Sequence, residues 1–234
     1  MHGRLKIRTS EEQAERKRLE REKKLTIYKT AMNECFRRIN EKVYDQASLK
    51  LTEDLLSNNP DLQTIWNFRK NIILRFENIE TFTEEQLIKL FLNEINLTEI
   101  CLKKNPKSYG SWYHRQWCLI ISNQKDYASK NSLLSWSNEL NLCNQFLNAD
   151  ERNFHCWKHR YFVIDNGKLP KINELDFTFE KICSNFSNYS AWHYRSKLIE
   201  ELYYEDQISQ EIFKKELELI ENAIFTDPND QSAW

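Results

Sequence analysis

The sequence predicts an all-α solenoid built of antiparallel helical hairpins. Three observations predict it: a recurring Trp-x-x-Arg signature, a scarcity of glycine and proline, and a glutamate at a fixed distance before most copies of the signature. The signature comes first, because a long internal period constrains a fold more than any local propensity does. Its complete copies are Trp66/Arg69, Trp112/Arg115, Trp157/Arg160 and Trp192/Arg195, and a fifth begins at Asp227-Pro228 and reaches Trp234. The tryptophans are 46, 45, 35 and 42 residues apart. Only one of those intervals comes near the roughly 34 residues of a tetratricopeptide repeat. Among 234 residues there are three glycines and four prolines. Sheets with tight turns draw heavily on both, so their scarcity favours long helices and short joints.

Residues 1–30 hold ten Lys/Arg against five Asp/Glu. Thr9-Ser10-Glu11-Glu12-Gln13 offers a capping box for a charged, solvated helix. Residues 31–234 then form the repeat domain, with 31–58 supplying its first helices. Each later repeat reads as helix, joint, helix. The joints open on Asn59, Asn105, Asp150, Asn185 and Asp227, and three of the four prolines sit six residues before a motif Trp. Asn or Asp is expected to cap the second helix, with Pro in its first turn. Pro also disfavours helix in the residue before it, which ends the first helix. Trp and Arg at i and i+3 share a helix face. Ile73, Leu119, Ile164 and Ile199, seven residues after each Trp, extend it as an apolar stripe. Asp165-Asn166-Gly167-Lys168-Leu169-Pro170 is the clearest turn. Leu217, Ile220, Ala223, Ile224 and Phe225 mark a last amphipathic helix. Solenoid ends need polar caps, so either another surface covers this face or the chain continues into more structure.

Glu94, Glu139, Glu174 and Glu216 stand eighteen residues before a motif Trp, each followed by Ile or Leu; the first repeat has Ser48 there. In repeats two to four the glutamate lies 11 residues before the joint and the arginine 10 after it. At about 1.5 Å per residue both stand about 15–16 Å from the turn. This spacing predicts buried pairs within each hairpin: Glu94–Arg115, Glu139–Arg160 and Glu174–Arg195. His114 and His159, one residue before the motif arginine, belong to the same framework.

Composition excludes several functions. A net charge of −1 gives no global attraction to nucleic acid or anionic membrane, and no apolar run is long enough for a membrane span. Cys35, Cys101, Cys118, Cys143, Cys156 and Cys183 show no metal-site spacing and read as reduced thiols of a cytoplasmic protein. The sequons at Asn96, Asn185 and Asn188 read as accidental in that setting.

Asn105-Pro106-Lys107-Ser108-Tyr109-x-x-Trp112-x-x-Arg115, with Glu-Ile or Glu-Leu eighteen residues before every motif Trp but the first, resembles the repeat of protein prenyltransferase alpha subunits. Met1-His2-Gly3-Arg4-Leu5-Lys6, Asp150-Glu151-Arg152-Asn153-Phe154-His155-Cys156-Trp157 and Asn185-Phe186-Ser187-Asn188-Tyr189-Ser190 are similar to the Rab geranylgeranyltransferase branch. The resemblance implies a right-handed α-α superhelix that wraps a zinc-bearing beta subunit. It implies transfer of geranylgeranyl from its diphosphate to C-terminal cysteines of Rab GTPases, presented by an escort protein.

Read from its own surroundings, Lys107 is a solvated lysine in the first turn of a helix, where it opposes the helix dipole. The resemblance instead makes it the contact to the isoprenoid diphosphate. Tyr109, Asn153 and His155 fall where family members line the same mouth, and Phe154 stands where farnesyltransferase-type alphas carry tyrosine. His2 is a candidate to reach the partner's zinc. A shared farnesyltransferase/type I alpha subunit and a non-catalytic tetratricopeptide-like adaptor are the competing readings. Phe154 and the short basic start count against the first, and the repeat period counts against the second.

Overall fold

The joints decide where every helix starts and stops. The computed structural model describes residues 11–78, 82–203 and 208–234, which form eleven α-helices and one short 3-10 turn. The Thr9-Ser10 part of the expected capping box lies outside the described residues. Two compact units are present, residues 1–83 and 84–234. The first contains α1 (Glu11–Asn40), α2 (Gln46–Asn58) and α3 (Gln63–Glu77). The second contains α4 (Glu84–Lys104), α5 (Tyr109–Gln124), the single turn α6 (Tyr127–Lys130), α7 (Trp136–Ala149), α8 (Phe154–Asn166), α9 (Ile172–Ser184), α10 (Tyr189–Leu202) and α11 (Gln210–Thr226). No described helix is long and apolar enough to cross a membrane.

The hairpins are α2/α3, α4/α5, α7/α8 and α9/α10. In the second unit α8 packs against both α5 and α10, so the hairpins stack through their second helices. The motif tryptophans Trp112 and Trp157 lie in one core with Leu142, Leu147, Ile182 and Leu198. In the first unit Trp66 is wholly buried beside Ile65, Ile72 and Ile73.

The Asn/Asp of each joint does not cap the second helix. Asn59, Asp150, Asn185 and Asp227 close the first helix instead, through their own backbone N–H, and Asn105 makes the same backbone bond to Cys101. Their side chains then accept from the N–H two residues on, at Asp61, Lys107, Arg152, Ser187 and Asn229. Such an Asx turn replaces the helical hydrogen bonds that end there. The second helix starts four residues after the joint opens, capped by Ser108, Asn153 and Asn188 in the second unit. Across the turn, each Trp indole donates to the carbonyl six residues back: Pro60, Pro106, Glu151 and Phe186, at 2.8–2.9 Å. Tryptophan recurs because it combines a large apolar body with one N–H that fastens the joint.

The expected pairs Glu94–Arg115, Glu139–Arg160 and Glu174–Arg195 do not form. Each arginine grips the glutamate of the following repeat. Arg115 makes a two-pronged contact with Glu139 at 2.6 and 2.8 Å, Arg160 with Glu174 at 2.6 and 2.7 Å, and Arg195 with Glu216 at 2.8 and 2.6 Å. The glutamate of the same hairpin is taken by the residue before the arginine: His114 to Glu94 at 2.9 Å, His159 to Glu139 at 2.6 Å, and Tyr194 to Glu174 at 3.0 Å. Neighbouring helical positions point about 100° apart, so the two cannot address one carboxylate from the same side. The third guanidinium nitrogen ties back into its own hairpin, on Ile95 and Thr98 for Arg115, Asn144 for Arg160, and Leu175 and Thr178 for Arg195. Arg69 does the same in the first unit, on Leu49 and Thr52. Where Ser48 replaces the glutamate, Arg38 of α1 donates to its hydroxyl at 3.1 Å and also reaches Asp45.

Burial alone would raise the Glu139 carboxyl. The Arg115 guanidinium and the His159 imidazole outweigh it and hold the group at about 2, below the 4.5 of a free glutamate. Because the folded value is depressed, this stabilisation is complete above about pH 4.5 and is lost as pH falls toward 2. Glu139→Gln should therefore lower stability at pH 7 by about 3–5 kcal/mol, as for one lost partner of a buried pair. It should also flatten the decline of the urea midpoint between pH 4.5 and 2.

The turn after α8 needs Gly167 for closeness, not for its φ of −76°. A Cβ there would stand 2.8 Å from Trp136 Cβ and from the Val163 carbonyl. The left-handed residue is the next one, Lys168, with φ of 49°. Gly167→Ala should cost about 1–3 kcal/mol by overpacking, read as a shift in the urea midpoint with unchanged slope.

Candidate functional site

The joint of α4/α5 and the first turn of α8 meet at one place on the second unit. Lys107 lies in the turn before the Ser108 cap, not in the first turn of α5 as the sequence suggested. The reason is the four-residue Asx turn, in which the Lys107 N–H is taken by Asn105 Oδ1 at 3.2 Å. Its side chain is exposed, and among the described residues no carboxylate approaches it within salt-bridge distance.

Two residues on, Tyr109 is 55% exposed although it opens a helix packed into the core. Its ring meets the edge of His155 at 4.4 Å between centroids and stacks with Tyr113 at 6.2 Å. His155 is 7% exposed and is covered on its other side by Phe154, at 3.9 Å. Burial first, then the charges of Lys107 and Lys158, push the His155 imidazole below the usual 6.5. Neutral His155 is thus a hydrogen-bonding group at physiological pH, and the positive field comes from the two lysines.

Asn153 is buried, and its side chain is fully engaged. Its oxygen accepts from the N–H of His155 at 3.1 Å and of Cys156 at 3.2 Å, capping α8. Its amide donates at 3.2 Å to the Pro106 carbonyl, the same oxygen that receives the Trp112 indole. Asn188 repeats this link to Glu151 in the next repeat. Asn153 therefore fixes the Lys107 joint against the helix turn that carries His155.

Two further residues share this face, and the repeat contains the signal for them. Tyr113 and Lys158 each stand one residue after a motif Trp, four after Tyr109 and Phe154. Positions i and i+4 lie on one side of a helix, so the exposed aromatic of the first turn brings them into the same neighbourhood. Beyond Phe154 and Lys158 a cavity of about 370 Å³ continues between α8 and α10, lined also by Tyr161, Tyr189, His193 and Lys197.

Among the described residues no group of three His, Cys, Asp or Glu side chains is placed to hold a metal ion. His2 lies outside the described residues. Five of the six cysteines are buried and Cys183 is exposed. The sequon residue Asn188 is buried within its cap.

The protein prenyltransferase alpha subunit repeat matches at residues 45–76, 91–121, 136–167, 172–202 and 213–234, more than half of the chain. The chain belongs to the protein prenyltransferase alpha subunit family. It is 46% identical over 240 residues to the geranylgeranyl transferase type-2 subunit alpha of Sus scrofa, covering 100% of this chain and 40% of that protein. It is 34% identical to the Saccharomyces cerevisiae subunit of the same name and 40% identical to that of Dictyostelium discoideum, covering 70% and 72% of those proteins. The chain spans about 40% of the length of its mammalian relatives. A solved structure, Candida albicans protein geranylgeranyltransferase-I complexed with GGPP, superposes with a TM-score of 0.70 at 23% identity, over 89% of this chain and 64% of that one. At that identity the likeness shows the fold alone.

Within this prenyltransferase alpha chain, an exposed cation (Lys107) and an exposed phenol (Tyr109) stand beside the buried, neutral imidazole of His155. The His155 ring should titrate below 6.5 in NMR spectra of the protein, and Lys107→Gln should move it upward by removing a nearby positive charge.

Proposed function

We propose that this chain is the alpha subunit of a heterodimeric Rab geranylgeranyltransferase. That enzyme transfers geranylgeranyl from geranylgeranyl diphosphate to C-terminal cysteines of Rab GTPases. The reading is carried by identity of 46% to a type-2 alpha subunit along the whole chain. The exposed Lys107 and Tyr109 beside His155 support it. In prenyl transfer the bond from the isoprenoid carbon to diphosphate oxygen breaks, and negative charge builds on the leaving group. A fixed ammonium beside that oxygen stabilises the transition state more than the ground state.

In this reading Lys107 contacts the diphosphate, while Tyr109 and His155 line the mouth. Asn153, expected from the sequence to share that lining, also ties the Lys107 joint to the α8 cap through the Pro106 carbonyl. The catalytic partner is a beta subunit, which supplies zinc to lower the pKa of the acceptor thiol. The Rab substrate arrives with an escort protein, and the reaction takes place in the cytoplasm. The type-2 name borne by the curated relatives favours this substrate class over the CaaX proteins of the type I and farnesyl enzymes.

Affinity purification of the native protein should recover a stoichiometric prenyltransferase beta chain. In the reconstituted heterodimer Lys107→Ala should slow geranylgeranyl transfer by at least about tenfold while leaving subunit assembly intact. Unchanged turnover removes Lys107 from the mechanism.

A further inference from the structure

We infer that Lys158 is a second diphosphate-binding cation, positioned by Tyr113 and acting with Lys107 on the same substrate. The inference rests on the proposed transferase reading. It comes from a chain of side-chain contacts across α5 and α8. Tyr109 touches His155 and stacks on Tyr113. The Lys158 ammonium stands 3.5 Å from the Tyr113 hydroxyl, to which it donates, and 5.6 Å from the centre of that ring. Lys158 and His155 are three residues apart on α8, near enough that the ammonium charge acts on the imidazole.

A lysine usually swings free through four rotatable bonds, and fixing it costs entropy. Here the Tyr113 hydroxyl and ring offset that cost, so the ammonium is aimed before any ligand arrives. The same holds for charge. Among the described residues no carboxylate lies within salt-bridge distance of Lys158, whereas Lys103, Lys130 and Lys171 each have one. His155 feels the charges of both Lys107 and Lys158, so the two cations act on one buried ring. A single lysine leaves most of the charge of a diphosphate uncompensated; a second cation, held by Tyr113, suits a polyanion with a narrow head. The apolar wall at Phe154 and the adjoining cavity then favour a head that carries a hydrophobic chain.

The test uses the assembled heterodimer. Binding of geranylgeranyl diphosphate and of geranylgeraniol, the uncharged alcohol, is titrated for wild type, Lys158→Gln, Lys158→Glu, Lys158→Arg and Tyr113→Phe. Lys158→Gln should weaken diphosphate binding about tenfold and Lys158→Glu more, with alcohol binding unchanged. Lys158→Arg should restore most of the affinity. Tyr113→Phe, which keeps the ring and removes the acceptor, should show a smaller loss confined to the diphosphate. Wild-type diphosphate affinity in Lys158→Glu overturns the proposal. So does a loss of heterodimer with normal affinity in the remainder, which would make Lys158 a contact to the partner subunit. Lys107→Ala measured alongside separates the two levels: if only Lys107 matters, Lys158 is dropped, and if neither does, the transferase site itself is misplaced.

Discussion

The two-pronged contact from each motif arginine to the glutamate of the next hairpin is the constraint on which the second unit depends. A guanidinium has five N–H donors in a rigid plane, and here the plane is divided between two jobs. Nε and one terminal nitrogen grip the next carboxylate, and the other terminal nitrogen holds the first helix of its own hairpin. Lysine presents a single point charge and cannot do both. The arrangement is buried, and at Glu139 and Glu174 it tolerates burial because the carboxylate is answered twice. Glu139 receives Arg115 from the preceding hairpin and His159 from its own; Glu174 receives Arg160 and Tyr194. Adjacent repeats are thus joined by a link with defined register, where apolar packing alone would allow sliding.

The indole bond does at the joints what the arginine does in the middle of the hairpins. One carbonyl in each turn accepts the Trp N–H of its own repeat, and at Pro106 and Glu151 it also accepts the cap asparagine of the next. The turn is therefore part of the inter-repeat contact. This has a functional consequence at Lys107. A residue in an exposed four-residue turn would ordinarily be loosely held. Here the residue before it is fastened from both sides, and its own N–H is bound to Asn105. Under the proposed function this anchors the backbone of the cation, so that only its side chain remains to be ordered when the diphosphate binds.

The open face and the buried framework use the same helices without conflict because a helix has room for both. Trp112, His114 and Arg115 face inward from α5, while Tyr109 and Tyr113 face out. In α8 the inward set is Cys156, Trp157, His159 and Arg160, and the outward set is Phe154 and Lys158. The inward residues recur from repeat to repeat because every hairpin meets the same kind of neighbour. The outward ones vary, Tyr-Tyr, then Phe-Lys, then Tyr-His at α10, which is where one repeat can acquire a chemistry that the next lacks.

The sequence alone determined the all-helical class, the hairpin unit and the positions of the joints. All of these follow from periodicities within a few turns of helix, and a local repeat carries its own local physics. The resemblance to the family repeat also singled out Lys107, Tyr109, Asn153 and His155 as candidates. The sequence did not determine which glutamate each arginine meets, because distance from the joint is the same for a carboxylate in one hairpin and its equivalent in the next. Only the rotation of neighbouring side chains about a helix, and the four-residue length of the turn, decide between them. The same is true of Asn153, whose cap and cross-repeat bond become visible once the Pro106 carbonyl is placed. It is true too of Tyr113 and Lys158, which are 45 residues apart in the chain and meet only because α5 and α8 pack side by side.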